Sequence, residues 1–330
     1  MFKHFFILCI TLLSCQISAT PTNQFDVVTL GSRGGIQDGN LTAFLVKASQ
    51  DPHYVTMDAG TLVNGIKIAA EKGAFDHITV PEESPYNTVG YILKERIKGY
   101  FISHAHLDHV AGMIIASPDD SSKVIYGLPS VNSALSSTYF NWVSWPNFTD
   151  RGNGFKLKKF QMNDLTPLEW QDIKSTSLKV KTFPLSHSGV ESTAFLLDNN
   201  GTAFVYFGDT GPDDVEQSKA INTVWKSLVP YIKEDKLSGI VIEVSFTNGV
   251  EDQFLFGHLT PDWLMHELRK LEHLAGGKGS LQDLNIIISH IKYSMKKGED
   301  PKTVIKKQLE AQNDLGVNFL FPAQGDSLYL

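Results

Sequence analysis

The sequence predicts an α/β fold in which two β-sheets lie between layers of helices, and three observations carry that prediction. Apolar runs of strand length recur on both sides of a histidine-rich motif, and segments with helical spacing fall between and after them. No Pro/Gly/Ser-rich linker or shift in composition divides the 330 residues, of which 42% are hydrophobic.

Taken in chain order, the first element is not part of that fold. "MFKHFFILCITLLSCQISATP" places Lys3 before an apolar run from Phe5 to Leu13 and closes on small residues. This pattern reads as a secretory signal over residues 1–19, too short for a membrane span. Cleavage after Ala19 leaves one catalytic domain at 20–330 without any cysteine, because Cys9 and Cys15 both fall in the removed segment. The competing reading takes "LLSC" as a lipobox with a lipid anchor on Cys15, to which Leu13 is an imperfect fit. Either address is exported, to the periplasm of a Gram-negative cell or the medium.

Strands are expected at "FDVVTLG" (25–31), "TAFLVKA" (42–48) and "HYVTMDAG" (53–60), then at "KVIYG" (123–127), "LKVKTFPLS" (178–186), "STAFLLDN" (192–199), "TAFVYFGD" (202–209), "GIVIEVS" (239–245) and "LNIIISH" (284–290). Between the first two, "TLGSRGGIQDGN" (29–40) has neither dinucleotide-binding spacing nor a P-loop lysine. It reads as two turns, with "QDGN" as a hairpin turn, and no cofactor is assigned to it. A helix is expected from Asp262 to Leu274.

The chemistry concentrates in "GYFISHAHLDHVAGMIIASP" (99–118). A strand ending near Ser103 would point His104 and His106 to one side. Asp108 and His109 follow at the entry to a helix whose apolar positions Val110, Met113 and Ile114 recur at helical spacing and which Ser117-Pro118 would stop. Four potential metal ligands meet at one point. A fixed H-x-H-x-D-H match arises by accident on the order of once per thousand chains of this length, which disfavours a chance polar cluster. Further ligands follow one design, an apolar run ending at a His or Asp: Asp58 in "MDAG", His187 in "PLSHSGV", Asp209 in "VYFGDTG" and His290 in "IIISHIK". Rigid strands delivering ligands at their ends suit a binuclear metal centre. His53, His77, His266 and His273 lack such company and are read as surface residues.

The order Asp58, HAHLDH, His187, Asp209, His290 resembles the metallo-β-lactamase superfamily, over nearly the whole mature chain. The resemblance implies a four-layer αββα sandwich. The longer string "HAHLDHVAGMIIASP", with its Leu107, Gly112 and Ser117-Pro118, is similar to the signature of the class II cyclic-nucleotide phosphodiesterases of the periplasmic cAMP phosphodiesterase type, as are "WPNF" (145–148) and "GHLTP" (257–261).

Carried over residue by residue, the resemblance implies that His104, His106 and His187 hold one divalent metal ion, that Asp108, His109 and His290 hold a second, and that Asp209 bridges both. Asp58 would orient a ligating imidazole without binding metal itself. Zinc suits such a site, and manganese or iron(II) is also accepted by histidine-rich centres. The implied reaction is hydrolysis of a 3′,5′-cyclic nucleotide, cAMP first and cGMP next, by a metal-bridging hydroxide that attacks phosphorus in line with the ribose 3′ oxygen. The catalytic residues would be Asp108, Asp209 and His258, with His258 meeting the substrate phosphate or protonating the departing oxygen; the competing reading of His258 is a helix-capping role. "STYFNWVSWPNF" gathers Tyr139, Phe140, Trp142, Trp145 and Phe148, read first as the core of a lid or a homodimer contact and second as a platform on which a nucleobase stacks.

Charge bounds the partner. The formal balance of -7 becomes -8 once Lys3 leaves with the signal, since -7 minus 1 is -8, and no basic run of five residues remains. A nucleic acid polymer is thereby disfavoured, whereas a small anion is acceptable at a metal centre. The alternative activity is another phosphodiesterase of the same superfamily or a tRNA 3′-processing nuclease, the latter distantly resembled by "VIEVSF" followed by "GHLTP". Those nucleases carry a histidine before the glutamate, where this chain has Ile242 before Glu243. A β-lactamase or lactonase is disfavoured by the extended signature, and a non-enzymatic binder by the presence of every expected ligand.

Overall fold

The computed structural model describes residues 24–330. The export segment expected at 1–19, with the Cys15 anchor, lies outside the described residues. Two seven-stranded sheets form the centre. In spatial order the first runs Ser327–Tyr329, Phe25–Gly31, Ala43–Ala48, Tyr54–Met57, Ile97–Phe101, Lys123–Gly127, Phe160–Asp164. The second runs Asn318–Leu320, Asn285–Ser289, Leu237–Glu243, Thr202–Phe207, Val190–Asn199, Lys179–His187, Trp170–Asp172. A small third sheet pairs Ile291–Lys292 with Arg33–Gly34 in parallel.

Alternation along the strands explains the layering. On Ile97–Phe101 and just beyond, Tyr100 and Ile102 join a core with Ile66 and Ala69 of the helix Val63–Glu71 and with Val110, Met113 and Ile114 of the helix Leu107–Ala116. Phe101 points the other way, into a core shared with Phe195, Phe204 and Tyr206 of the opposite sheet. Val205 and Phe207, on the far face of that sheet, pack with Trp225 of the helix Ala220–Lys233, Leu264 and Leu268 of the helix Pro261–Ala275, and Leu309 of the helix Pro301–Ala311. Helices, sheet, sheet and helices are thus separated by three apolar cores. Strands buried on both faces read as unbroken apolar runs in the sequence.

All nine strands expected by sequence range are present, as are the strand before Ser103, which spans Ile97–Phe101, and the two expected helices, Leu107–Ala116 and Pro261–Ala275. The additional strands are short or lie at edges. Phe160–Asp164, for example, exposes Gln161, Asn163 and Asp164, so its sequence lacks an apolar run. "QDGN" makes the expected turn, with Asn40 N–H donating to Gln37 O at 3.2 Å, inside the connection between two antiparallel strands. No helix among the described residues is long and apolar enough to cross a membrane.

The aromatic segment is chiefly packing. Phe140 is fully buried, and Tyr139, Trp145 and Phe148 lie against the same core as the motif helix. Trp142 alone of the five is exposed, its Nε1 donating to Phe155 O at 2.6 Å. Two bonds tie the segment to the histidine motif: Tyr139 OH donates to Ala105 O at 2.8 Å, and Trp145 Nε1 donates to Ser117 Oγ at 3.0 Å.

Candidate metal centre

Parallel pairing joins Tyr54–Met57 to Ile97–Phe101 in one sheet, and Thr202–Phe207, Leu237–Glu243 and Asn285–Ser289 in the other. Their carboxyl ends deliver Asp58, His104, Asp209, Glu243 and His290 to one crevice, where ligands bind in open α/β sheets. Lys179–His187 runs the same way and ends on His187 itself. Asp58 and His290 each leave their strand in the left-handed region, at φ +55° and +53°. Such conformations cost energy in non-glycine residues and concentrate at functional sites.

The centre of the cluster is Asp209, almost fully buried. Its Oδ2 lies 3.9 Å from Nε2 of His104, 3.3 Å from Nε2 of His109, 3.8 Å from Nε2 of His187 and 3.2 Å from Nε2 of His290. Asp108 Oδ2 sits 3.1 Å from His290 Nε2, and the exposed His106 stacks edge-on against His104 and His187 with ring centroids 4.5 and 5.1 Å apart. All seven expected ligands therefore converge. His104, His106 and His187 form one group and Asp108, His109 and His290 another, each with its donor atoms mutually within 4.8 Å.

The other ring nitrogen of the imidazoles is anchored. Nδ1 meets Ser103 Oγ at 3.0 Å in His104, Asp58 Oδ2 at 2.7 Å in His109, Gly257 O at 2.7 Å in His187 and Ser245 Oγ at 2.9 Å in His290. Ser103 Oγ donates to Asp58 Oδ2 and Ser245 Oγ to Glu243 Oε2, so each serine accepts from its histidine. The carboxylate and carbonyl acceptors make Nδ1 the donor in His109 and His187, and in all four rings the anchored Nδ1 leaves Nε2 facing inward, the orientation that ligating histidines adopt. Nε2 of His104 and of His109 is buried without any hydrogen-bond partner. Inward Nε2 atoms stranded next to carboxylates fit a divalent cation, and imidazole with carboxylate is a donor set that binds zinc, iron or manganese.

Electrostatics separates the imidazoles. Burial and the neighbouring imidazoles hold His104 well below the ordinary histidine range, and burial also lowers His106 and His187, favouring the neutral form that binds metal. Burial would raise Asp209, but His109 and His290 overrule it and keep the carboxylate well below its usual range. Asp108 is lowered against burial by its bond to His290. Burial would lower His109, yet the Asp209 and Asp58 carboxylates raise it well above the ordinary range.

Four features were not foreseen from the sequence. Glu243 is buried and accepts from His258 Nδ1 at 2.8 Å and Thr210 N at 3.0 Å; against burial, His258 lowers the proton affinity of Glu243 and Glu243 raises that of His258. Its signal was a lone acid closing the apolar run Ile240–Val241–Ile242. Tyr206 OH donates to Asp58 Oδ2 at 2.6 Å. Gly35 N–H donates to Asp108 Oδ2 at 2.7 Å, so the glycine-rich loop is a wall of the site. A methyl group at Gly34 would overlap the His290 ring, which is why only glycine fits there. The helix cap that competed for His258 belongs to Thr260, whose Oγ1 accepts from Trp263 N at 3.4 Å. His77, His266 and His273 are exposed and His53 half-buried, and none of them joins the ligand groups.

Solved structures place this architecture in the metallo-β-lactamase fold. Unliganded yeast PDE1 superposes with a TM-score of 0.78 at 23% identity, covering 94% of this chain and 100% of that one. The metallo-β-lactamase fold protein YhfI from Bacillus subtilis gives 0.57 at 14%, covering 92% and 99%. Within that fold the chain belongs to the class II cAMP phosphodiesterases, whose family model matches residues 23–325. It is 59% identical over 329 residues to the 3′,5′-cyclic-nucleotide phosphodiesterase of Aliivibrio fischeri, with 99% of each chain covered. It is 31% identical to the cAMP/cGMP-dependent 3′,5′-cAMP/cGMP phosphodiesterase A of Dictyostelium discoideum, covering 91% of this chain and 80% of that one.

Proposed function

We propose that the protein hydrolyses 3′,5′-cyclic nucleotides to 5′-nucleotides, with cAMP the preferred substrate and cGMP second, at a centre of two divalent ions of which zinc is the first choice. The observation that carries this reading is the convergence of four inward-facing Nε2 atoms on the Asp209 carboxylate, two of them buried without hydrogen-bond partners. His104, His106 and His187 would hold one ion, Asp108, His109 and His290 the other, and Asp209 would touch both. Such ions, when bound, lower the pKa of water so that hydroxide is available near neutral pH.

The chain's own residues supply the rest. Asp58 fixes the His109 ring, and Gly35 N–H fixes the Asp108 carboxylate. His258 gives its Nδ1 to Glu243 and leaves Nε2 for substrate. Glu243 raises the proton affinity of His258, so the ring can donate a proton to the departing 3′ oxygen. No nucleophilic side chain is needed. The charged start, apolar run and small-residue exit of residues 1–19 support a mature chain, from residue 20, in the periplasm or the medium.

One assay tests the activity. Purified mature protein is offered cAMP, cGMP, 2′,3′-cyclic nucleotides, a linear phosphodiester and a β-lactam, with metal content measured on the same sample. Preferential opening of the 3′,5′-cyclic ring supports the reading; turnover of another class alone overturns it.

A further inference from the structure

Lys292 is a half-buried cation at the rim of the metal cluster that the proposed chemistry has not used. Its backbone is fixed on two sides: it pairs with Gly34 in the small parallel sheet, and its N–H donates to Ser245 O at 3.2 Å. Its Nζ lies 4.8 Å from the centroid of the Phe246 ring, and that ring meets His258 edge-on with centroids 5.8 Å apart. Its stem runs past Gly35, where a Cβ on that glycine would stand 3.8 Å from Lys292 Cγ, and the Gly35 N–H is the one bonded to Asp108. The side chain thus runs from the loop that holds Asp108 to the aromatic ring that packs on His258, and its charge acts on His258.

Lys292 also lacks the partner that a lysine so placed would normally take. Among the described residues no carboxylate forms an ion pair with it; the face of Phe246 holds the ammonium instead. The carboxylates of the site are otherwise engaged, Glu243 with His258, Asp58 with His109 and Asp108 with His290. A cation held by an aromatic face keeps its donors free for an anion.

Building on the phosphodiesterase reading, we infer that Lys292, steadied by Phe246, is the anion-binding residue of the substrate site and takes a non-bridging phosphoryl oxygen of the cyclic phosphate. The contact exists in the bound substrate and persists as the ring opens, so it acts mainly through binding.

The test compares Lys292→Gln and Lys292→Arg in metal-loaded, full-length mature protein. For Lys292→Gln the KM for cAMP should rise roughly 10-fold or more with kcat within about threefold, the pattern of lost uniform binding. Metal content and Tm should match wild type, the Arg variant should recover most of the KM, and the salt dependence of KM should flatten. Calorimetry with inorganic phosphate gives a readout independent of turnover: wild type should bind it more tightly than Lys292→Gln. An unchanged KM and unchanged phosphate affinity would overturn the inference, as would a loss confined to Tm or metal content that Arg does not restore. Wild-type protein inactive on every cyclic nucleotide would instead defeat the phosphodiesterase reading, and phosphate binding would still decide the role of Lys292.

Discussion

Asp58 Oδ2 and His109 Nδ1 lie 2.7 Å apart, both fully buried, and the same carboxylate also accepts Ser103 N–H at 2.7 Å and Tyr206 OH at 2.6 Å. One side chain thereby orients His109 directly and His104 through Ser103, drawing on both sheets to do so. Partners of ligating histidines typically contribute about 10- to 100-fold in metal affinity. Asp58→Asn is expected to lower affinity by that order, read by competition with a chelator, while far-UV circular dichroism stays native. Wild-type affinity in this variant would remove Asp58 from the assembly of the centre.

Asp209 stands where four Nε2 atoms meet, so its loss loosens both ligand groups at once. Asp209→Ala should abolish turnover and reduce bound metal measured by elemental analysis. Full activity in this variant, or in a metal-free preparation, would sink the binuclear reading.

Gly34 presses against the His290 ring so closely that a single methyl group displaces it. Gly34→Ala should fold, because the residue lies in a two-residue strand outside the two central sheets, yet it should lose metal from the group containing His290, with Asp108 and His109 left behind. Equilibrium dialysis against zinc, compared with wild type, checks the stoichiometry.

Much of this site was legible because strands leave a simple record. Both faces of the central strands are buried, so the runs before Asp58, His104, Asp209 and His290 are mostly apolar, and each ends within a residue of a side chain of the site. Glu243 was passed over because it closes the same kind of run without a second acid or histidine beside it in sequence; His258, its partner, is 15 residues away. The glycine-rich loop does turn after Gly34 and at Gln37–Asn40, but its short strand Arg33–Gly34 and its role at Asp108 depend on contacts with residues far along the chain. Edge strands such as Phe160–Asp164 escaped because one face meets solvent and carries polar residues. The aromatic segment declared itself by composition, and only packing shows that Tyr139 clamps the loop between His104 and His106 through Ala105 O.

The wall formed by that glycine-rich loop is itself anchored by Arg33, which donates from both terminal nitrogens to Asp300 at 3.2 and 2.8 Å. Asp300 also caps the helix Pro301–Ala311 by accepting Lys302 N–H at 3.0 Å. The Arg33 bonds, against some burial, hold the Asp300 carboxyl below its usual range. A lowered folded pKa means stability that is present above the unfolded value of about 4 and is lost as pH falls through the folded value. Asp300→Asn keeps a capping side chain, so it isolates the ion pair. It should be less stable than wild type at neutral pH by under about 1 kcal/mol, because the pair is partly exposed. In urea melts the gap should close as pH drops below that carboxyl's range; a gap independent of pH would assign the effect to packing.

His258 separates proton donation from structure most sharply. Its Nδ1 is bound to Glu243, its ring packs face-on over His290 with centroids 5.3 Å apart, and it completes neither expected ligand group. The helix start that it precedes is capped by Thr260, so truncating the ring removes no cap. His258→Ala should retain its metal and its Tm while kcat for cAMP falls by about 10² or more, the usual loss when a general acid is removed. A phosphodiester with a p-nitrophenolate leaving group needs no proton on the departing oxygen and should lose much less. Glu243→Gln should show the same asymmetry in weaker form, because the glutamine no longer raises the proton affinity of the imidazole. Equal losses on both substrates would assign His258 to phosphate binding, and an unchanged kcat on both would leave it a structural residue.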